Sequence, residues 1–172
     1  TKTGDVPGLT NQNFHGYLNT KAYMSRLVPT FAGKLDRVVL SGSSAGSLGA
    51  MMNYSMVQDS FGDVHVDVIA DAGIPFRDMF WPTCLQKRWR DAWGLNGALP
   101  PDCTECFRED GSGLFEGLAN FLWRKHPKLR MAVISRTEDE IIRLFYSVGL
   151  NNCQNYDTLD PHTVFDIGRI GS

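Results

Sequence analysis

No stretch of this chain reaches the roughly 20 apolar residues that a membrane-spanning helix requires, and no run of Lys or Arg is long enough for a basic tail. A soluble protein without a membrane span is expected. Nor does one sign of charge prevail, since 17 Lys and Arg face 19 Asp and Glu for a formal charge of -2. That is too weak a field to hold nucleic acid or an anionic bilayer, so neither is an expected partner. Cysteine is sparse: there are four, and no second Cys or His pair at zinc-finger spacing completes Cys103 and Cys106 as a metal site. No metal or cofactor is therefore expected. Low-complexity segments and repeats are lacking too. An apolar fraction of 42% and a charged fraction of 21% describe an ordinary globular protein. The 172 residues suit one domain. The chain opens at Thr1 without Met or a charged-then-apolar leader, so any signal segment is expected to have been removed or to lie upstream.

The even cysteine count reads as two disulfides among Cys84, Cys103, Cys106 and Cys153, which would place the chain outside the cytosol. Three connectivities are open. Joining Cys103 to Cys106 closes too small a loop to gain much chain entropy, whereas joining either to Cys84 or Cys153 closes a long one.

Residues 1–17 are rich in Gly, Asn and Thr without a sustained period and read as an extended leading segment with turns. Asn19 or Thr20 can cap a helix from Lys21 that carries Tyr23, Met24, Leu27, Val28 and Phe31, is disturbed by Pro29, and should lay one face on a sheet. Arg37 to Ser41 is a short β-branched run without alternation, as expected of a parallel strand covered on both faces. A helical pattern follows at Leu48, Met51, Met52, Tyr54 and Met56, then a strand from His65 to Asp71 and a small turn at Asp71-Ala72-Gly73. Residues 76–112 read as an irregular, disulfide-pinned, cap-like excursion holding three of the cysteines and Phe76, Phe80, Trp81, Trp89 and Trp93. A helix from about Leu114 to Trp123, a strand over Met131 to Ser135 and a helix holding Ile141, Ile142, Leu144 and Phe145 complete the pattern. Strands alternating with helices imply an α/β class with a mostly parallel sheet and flanking helices.

Gly42-Ser43-Ser44-Ala45-Gly46 lies between the first buried-strand run and a helix. That is the context in which Gly-x-Ser-x-Gly forms a nucleophile elbow. The strained turn would lift the Ser44 hydroxyl above the sheet edge and aim the Ala45 N–H at a developing oxyanion. Such a serine needs a base and an orienting acid, in the chain order Ser, Asp or Glu, His. Asp139 follows the strand ending at Ser135 and should stand at the same edge as Ser44; the competing reading makes it a first-turn helix carboxylate. Asp71 is the rival acid. Only His162 follows Asp139, and its loop setting gives it little standing as the base, while His126 reads as a helix-end residue interacting with the dipole.

Three segments, Thr3-Gly4-Asp5-Val6, Phe14-His15-Gly16-Tyr17 and Ser41-Gly42-Ser43-Ser44-Ala45-Gly46-Ser47, resemble successive motifs of the pectin acetylesterase and Notum-like carboxylesterases, and the resemblance spans nearly the whole chain. Asp71-Ala72-Gly73-Ile74-Pro75 and Cys103-Thr104-Glu105-Cys106 are similar to further family segments. Pro7 departs from the family's usual polar or aromatic residue. The resemblance implies an α/β-hydrolase-like fold. It assigns the triad acid to Asp139, and it favours one bridge within the cap and one from the cap to the segment after the last helix. It also implies that the family's second oxyanion loop and catalytic histidine fall outside residues 1–172, so that the domain is incomplete at both ends.

The expected function is that of a secreted serine esterase that hydrolyses acetyl or other acyl esters of small molecules or carbohydrates through an acyl-enzyme on Ser44. The alternative is a non-catalytic α/β domain whose Gly-Ser turn cradles an anionic or polar ligand.

Overall fold

The structure, a computed structural model, describes residues 2–6, 9–73, 77–147, 149 and 152–154. Phe76 and His162 lie outside them. The leading segment is more regular than its composition suggests. β1 (Lys2–Val6) and β2 (Leu9–Phe14) form an antiparallel pair with a register shift between Gly4 and Val6. The Asp5 carboxylate accepts the N–H of Asn11, which is held at φ 53°, so side-chain hydrogen bonding supplies order that hydrophobic periodicity does not.

α1 (Gly16–Phe31) begins at His15 and Gly16, five residues before the expected start at Lys21, and it continues through Pro29. Asn19 and Thr20 lie inside it, and the Thr20 hydroxyl donates to the carbonyl of Gly16. Its apolar stripe is not laid on the sheet. No residue of α1 is buried, and Tyr23, Leu27 and Phe31 are exposed.

The central sheet has the order β3-β4-β5, all parallel: β3 (Arg37–Ser43), β4 (His65–Asp71) and β5 (Met131–Ile134). α2 (Ala45–Phe61) links β3 to β4; α3 (Thr83–Trp93) and α4 (Glu116–Lys125) lie between β4 and β5; α5 (Glu140–Ser147) follows β5. Val66, Val68 and Ala70 are buried on one face, with Ala50, Met51, Tyr54 and Val57 of α2 in the same core. On the other face Val39 is 53% exposed and Ile134 55%, so the expected cover on both faces is not met among the described residues. The period-2 burial of β3 follows from that one-sided packing.

Within the expected irregular excursion over 76–112, the described residues 77–112 hold regular structure. α3 buries Leu85, Gln86 and Arg90, and short 3-10 turns occupy Asp78–Phe80, Leu95–Gly97 and Thr104–Cys106. Polar side chains satisfy the backbone that regular structure leaves unpaired. Arg90, 6% exposed, donates to the carbonyls of Cys106, Gly111 and Ser112 and to the Asn96 side chain. Gln86 is fully buried; its amide donates to the Trp81 carbonyl and the Asp78 carboxylate, while its oxygen accepts the Leu114 N–H. Trp81 is core, with no exposed surface and its ring stacked 4.6 Å from Phe115.

Both disulfides form. Cys103 pairs with Cys106, whose Cα atoms the 3-10 turn holds 5.3 Å apart, and Cys84 on α3 pairs with Cys153 beyond α5. Proximity within the turn thus prevails over the larger loop entropy of the alternatives. The outcome is the intra-cap and cap-to-tail arrangement that the family resemblance favours.

Candidate active site

β3 ends at Ser43 and α2 begins at Ala45, so Ser44 alone makes the turn between them. Its backbone sits at φ 55°, ψ -124°, a region that costs a non-glycine residue about 1 to 3 kcal/mol and persists only where neighbours impose it. The neighbours are identifiable. The Ser44 N–H donates to the Asp71 carbonyl at 2.8 Å, and its carbonyl accepts the Ser47 N–H at 3.0 Å. Gly42 lets strand and helix approach: a methyl there would run into the Gly46 carbonyl.

A second strained residue stands beside the first. Ala72, just past β4, has φ 52° and donates its N–H to the Ile134 carbonyl at 2.7 Å. The Ser43 hydroxyl donates to the Asp71 carboxylate at 3.0 Å. Three strand ends are therefore fastened together at the carboxyl edge of the sheet.

Ser44 is exposed and lies on the wall of two cavities. One, about 530 Å³, is apolar and is walled by Ala45, Leu48 and Met52 of α2, Trp89 and Trp93 of α3, and Phe145 of α5 among others. Burial pushes the phenol of Tyr146, in the same wall, well above its ordinary range, so it stays neutral. The other cavity, about 760 Å³, is polar and includes Asp71, Arg136, Glu138, Asp139 and Glu140. Ala45 is the first residue of α2, and its N–H is one of the first-turn donors that have no intrahelical acceptor.

Ser44 and Asp139 thus line one cavity, as expected. The carboxylate of Asp139 also does what the competing reading assigns it: Oδ1 accepts the N–H groups of Ile141 and Ile142 at 3.1 and 2.9 Å and caps α5. Asp71, the rival acid, is engaged by Ser43 and lines the same cavity.

Each described histidine has a hydrogen-bond partner other than Ser44. His15 bonds to Thr3, His65 to Asp67, and His126 to the Ser55 hydroxyl at 3.1 Å. His126 lines a third cavity together with Arg37, His65 and Arg130 near the starts of the three strands. Seven-residue strands span about 20 Å, so His126 stands at the opposite sheet edge from Ser44. Desolvation against the edge of Tyr54, at 5.2 Å, lowers its pKa. It stands at the C-cap of α4, the helix-end position expected of it, as a packed ring.

No group of three or more His, Cys, Asp or Glu is arranged to hold a metal among the described residues, and no helix there is long and apolar enough to cross a membrane. The sequence places Ala72 in a small turn and Ser47 in a serine run with Ser41, Ser43 and Ser44, but neither the strain of the one nor the burial of the other was legible. Ala72 carries no type signal for a positive φ, and Ser47 stands in a serine-rich run where nothing marks it.

Parallel strands joined through helices define a mixed α/β protein, in which a strained serine at a strand-to-helix turn lines two cavities. The chain belongs to the pectinacetylesterase family, whose model matches residues 3–116, and at the family level that implies carboxylic ester hydrolysis. The match covers β1 through the start of α4 and includes Ser44 and Asp71; Asp139 lies outside it. No curated protein and no solved structure gives a significant match.

Proposed function

We propose that the protein is a secreted serine esterase of the α/β-hydrolase type, with Ser44 as nucleophile. The backbone of Ser44, at φ 55° and ψ -124° between a parallel strand and a helix, carries the proposal. An anion-cradling turn needs no such strain, which favours the esterase over the binding-domain alternative. Ser44 Oγ bonds to the ester carbonyl carbon as its proton passes to the imidazole of a histidine. The Ala45 N–H donates to the oxyanion, and the imidazole returns the proton to the departing alcohol. Water then cleaves the acyl–Ser44 bond by the same route. Asp139 orients the imidazole, its second oxygen being the one available beside the cap. The acyl group occupies the apolar cavity and the alcohol, a carbohydrate or other polar molecule, the polar one. The two disulfides suit an oxidising compartment.

Turnover of 4-nitrophenyl acetate and covalent labelling by a fluorophosphonate test this reading. Label is expected on Ser44, and Ser44→Ala is expected to lose both; label elsewhere, or activity that survives the substitution, refutes it.

A further inference from the structure

Ser47 has no part in the chemistry above, yet its side chain is completely buried and donates from Oγ to the Gly73 carbonyl at 2.9 Å. We propose that Ser47 is a positioning residue of the esterase: its hydroxyl locks the turn after β4 to the turn after β3 and thereby fixes where the Ser44 hydroxyl stands. The inference rests on Ser44 being the nucleophile.

Five residues close a ring. The Ser44 N–H donates to Asp71, the chain runs through Ala72 to Gly73, the Gly73 carbonyl accepts Ser47 Oγ, and the Ser47 N–H returns to the Ser44 carbonyl. Both strained residues, Ser44 at φ 55° and Ala72 at φ 52°, lie in that ring. The Ser47 hydroxyl is the side-chain link that joins the far end of the second turn to the helix carrying the first.

A serine in the first turn of a helix ordinarily turns its oxygen to its own backbone. Here the oxygen crosses to the next strand's turn instead. There is no slack in the contact, since a methyl at Gly73 would overlap Ser47 Oγ and crowd the Ser44 carbonyl. Without the hydroxyl, the Gly73 carbonyl loses its donor at a buried position, and the turn must move to find another. A nucleophile displaced by about 1 Å costs on the order of a hundredfold in rate, so a partial release is expected to cost about tenfold.

The test compares the wild-type protein with Ser47→Ala and Ser47→Thr. Two quantities are read per folded molecule: the second-order rate constant for fluorophosphonate labelling of Ser44, and kcat and KM for 4-nitrophenyl acetate. Ser47→Ala should lower labelling and kcat about tenfold with KM little changed, and Ser47→Thr, which keeps the hydroxyl, should recover most of the loss. A Ser47→Ala protein that labels at the wild-type rate, changes only in KM, or has no folded fraction overturns the proposal. If the wild-type protein takes no label at Ser44, the esterase reading falls with it; if the wild type is labelled and Ser47→Ala is unimpaired, this inference alone falls.

Discussion

At the scale of single residues, the polar groups of the interior do two different jobs, and each gives a measurable response. Arg90 holds its charge although desolvation lowers its pKa, because Asp78, Asp110 and Asp91 oppose that shift, and its guanidinium serves three carbonyls that no strand or helix satisfies. Arg90→Ala should therefore destabilise the fold by roughly 3 kcal/mol in a denaturant titration, since buried acceptors are left unpaired. His126 works in the opposite sense, as a neutral ring against Tyr54 and Ser55 with Asp59, Asp102 and Lys125 around it. Desolvation puts its folded-state pKa below the ordinary value of about 6.5, so the unfolded chain takes up the proton first. Its contribution to stability is complete above that value and is lost as pH falls from about 6.5 toward the folded-state value. The thermal midpoint should drop between pH 7 and 5, and His126→Gln should flatten the slope over that window; an unchanged slope would contradict the assignment.

At the scale of elements, the two disulfides are unequal. Cys84–Cys153 spans 69 residues and ties α3 to the segment beyond α5, where Arg88 also donates to the Cys153 carbonyl; Cys103–Cys106 spans three and staples one turn. In the chain-entropy account, removing the first costs about 4 kcal/mol and removing the second far less. Trp89 and Trp93 of α3 and Phe145 of α5 wall the apolar cavity, so the pair Cys84→Ser, Cys153→Ser should lose esterase activity as well as thermal stability. A thermal midpoint lowered equally by Cys103→Ser, Cys106→Ser would contradict this ranking. The elements whose local signals agree with their packing are α2 and β4, with Gly42 and Gly46 marking the turn before α2; β3 and β5 are legible as strands, but the unalternating run of β3 pointed to cover on both faces, whereas Val39 is exposed. The rest depended on what local signals do not encode. α3 went unread because two of its three buried residues, Gln86 and Arg90, are polar and are made compatible with burial by partners outside the helix, 5 to 28 positions away. α1 was read short because its first turn, from Gly16 to Thr20, shows no apolar period. Asp139 was legible as a carboxylate at the sheet edge, but its cap on α5 and its shared cavity with Ser44 were open until the backbone was in place.

At the scale of the whole molecule, Ser44 stands where an apolar and a polar cavity meet, and that division makes the site directional. An ester bound with its acyl chain against Trp89, Trp93 and Met52 places its alcohol among Asp71, Arg136 and Glu138; the reverse orientation buries hydroxyls without partners and leaves the chain in water. About 530 Å³ is more than an acetyl group fills, and each additional buried methylene contributes about 0.8 kcal/mol. The octanoyl ester of 4-nitrophenol should therefore exceed the acetyl ester in kcat/KM. Gly49 gives a way to test whether this cavity is responsible. It lies in the second turn of α2 on the cavity wall, and a Cβ built there meets nothing within 4 Å. Gly49→Leu thus adds a side chain into space that the acyl group would use. The same change removes a helix-interior glycine, which favours α2 by about 0.5 to 1 kcal/mol. Stability and acyl preference should move in opposite senses: the thermal midpoint holds or rises, while the octanoyl-to-acetyl ratio of kcat/KM falls at least about tenfold, the scale expected when a few methylenes lose their pocket. A ratio unchanged in a stably folded Gly49→Leu protein would place the acyl chain outside this cavity and reverse the assignment of the two sides of the ester.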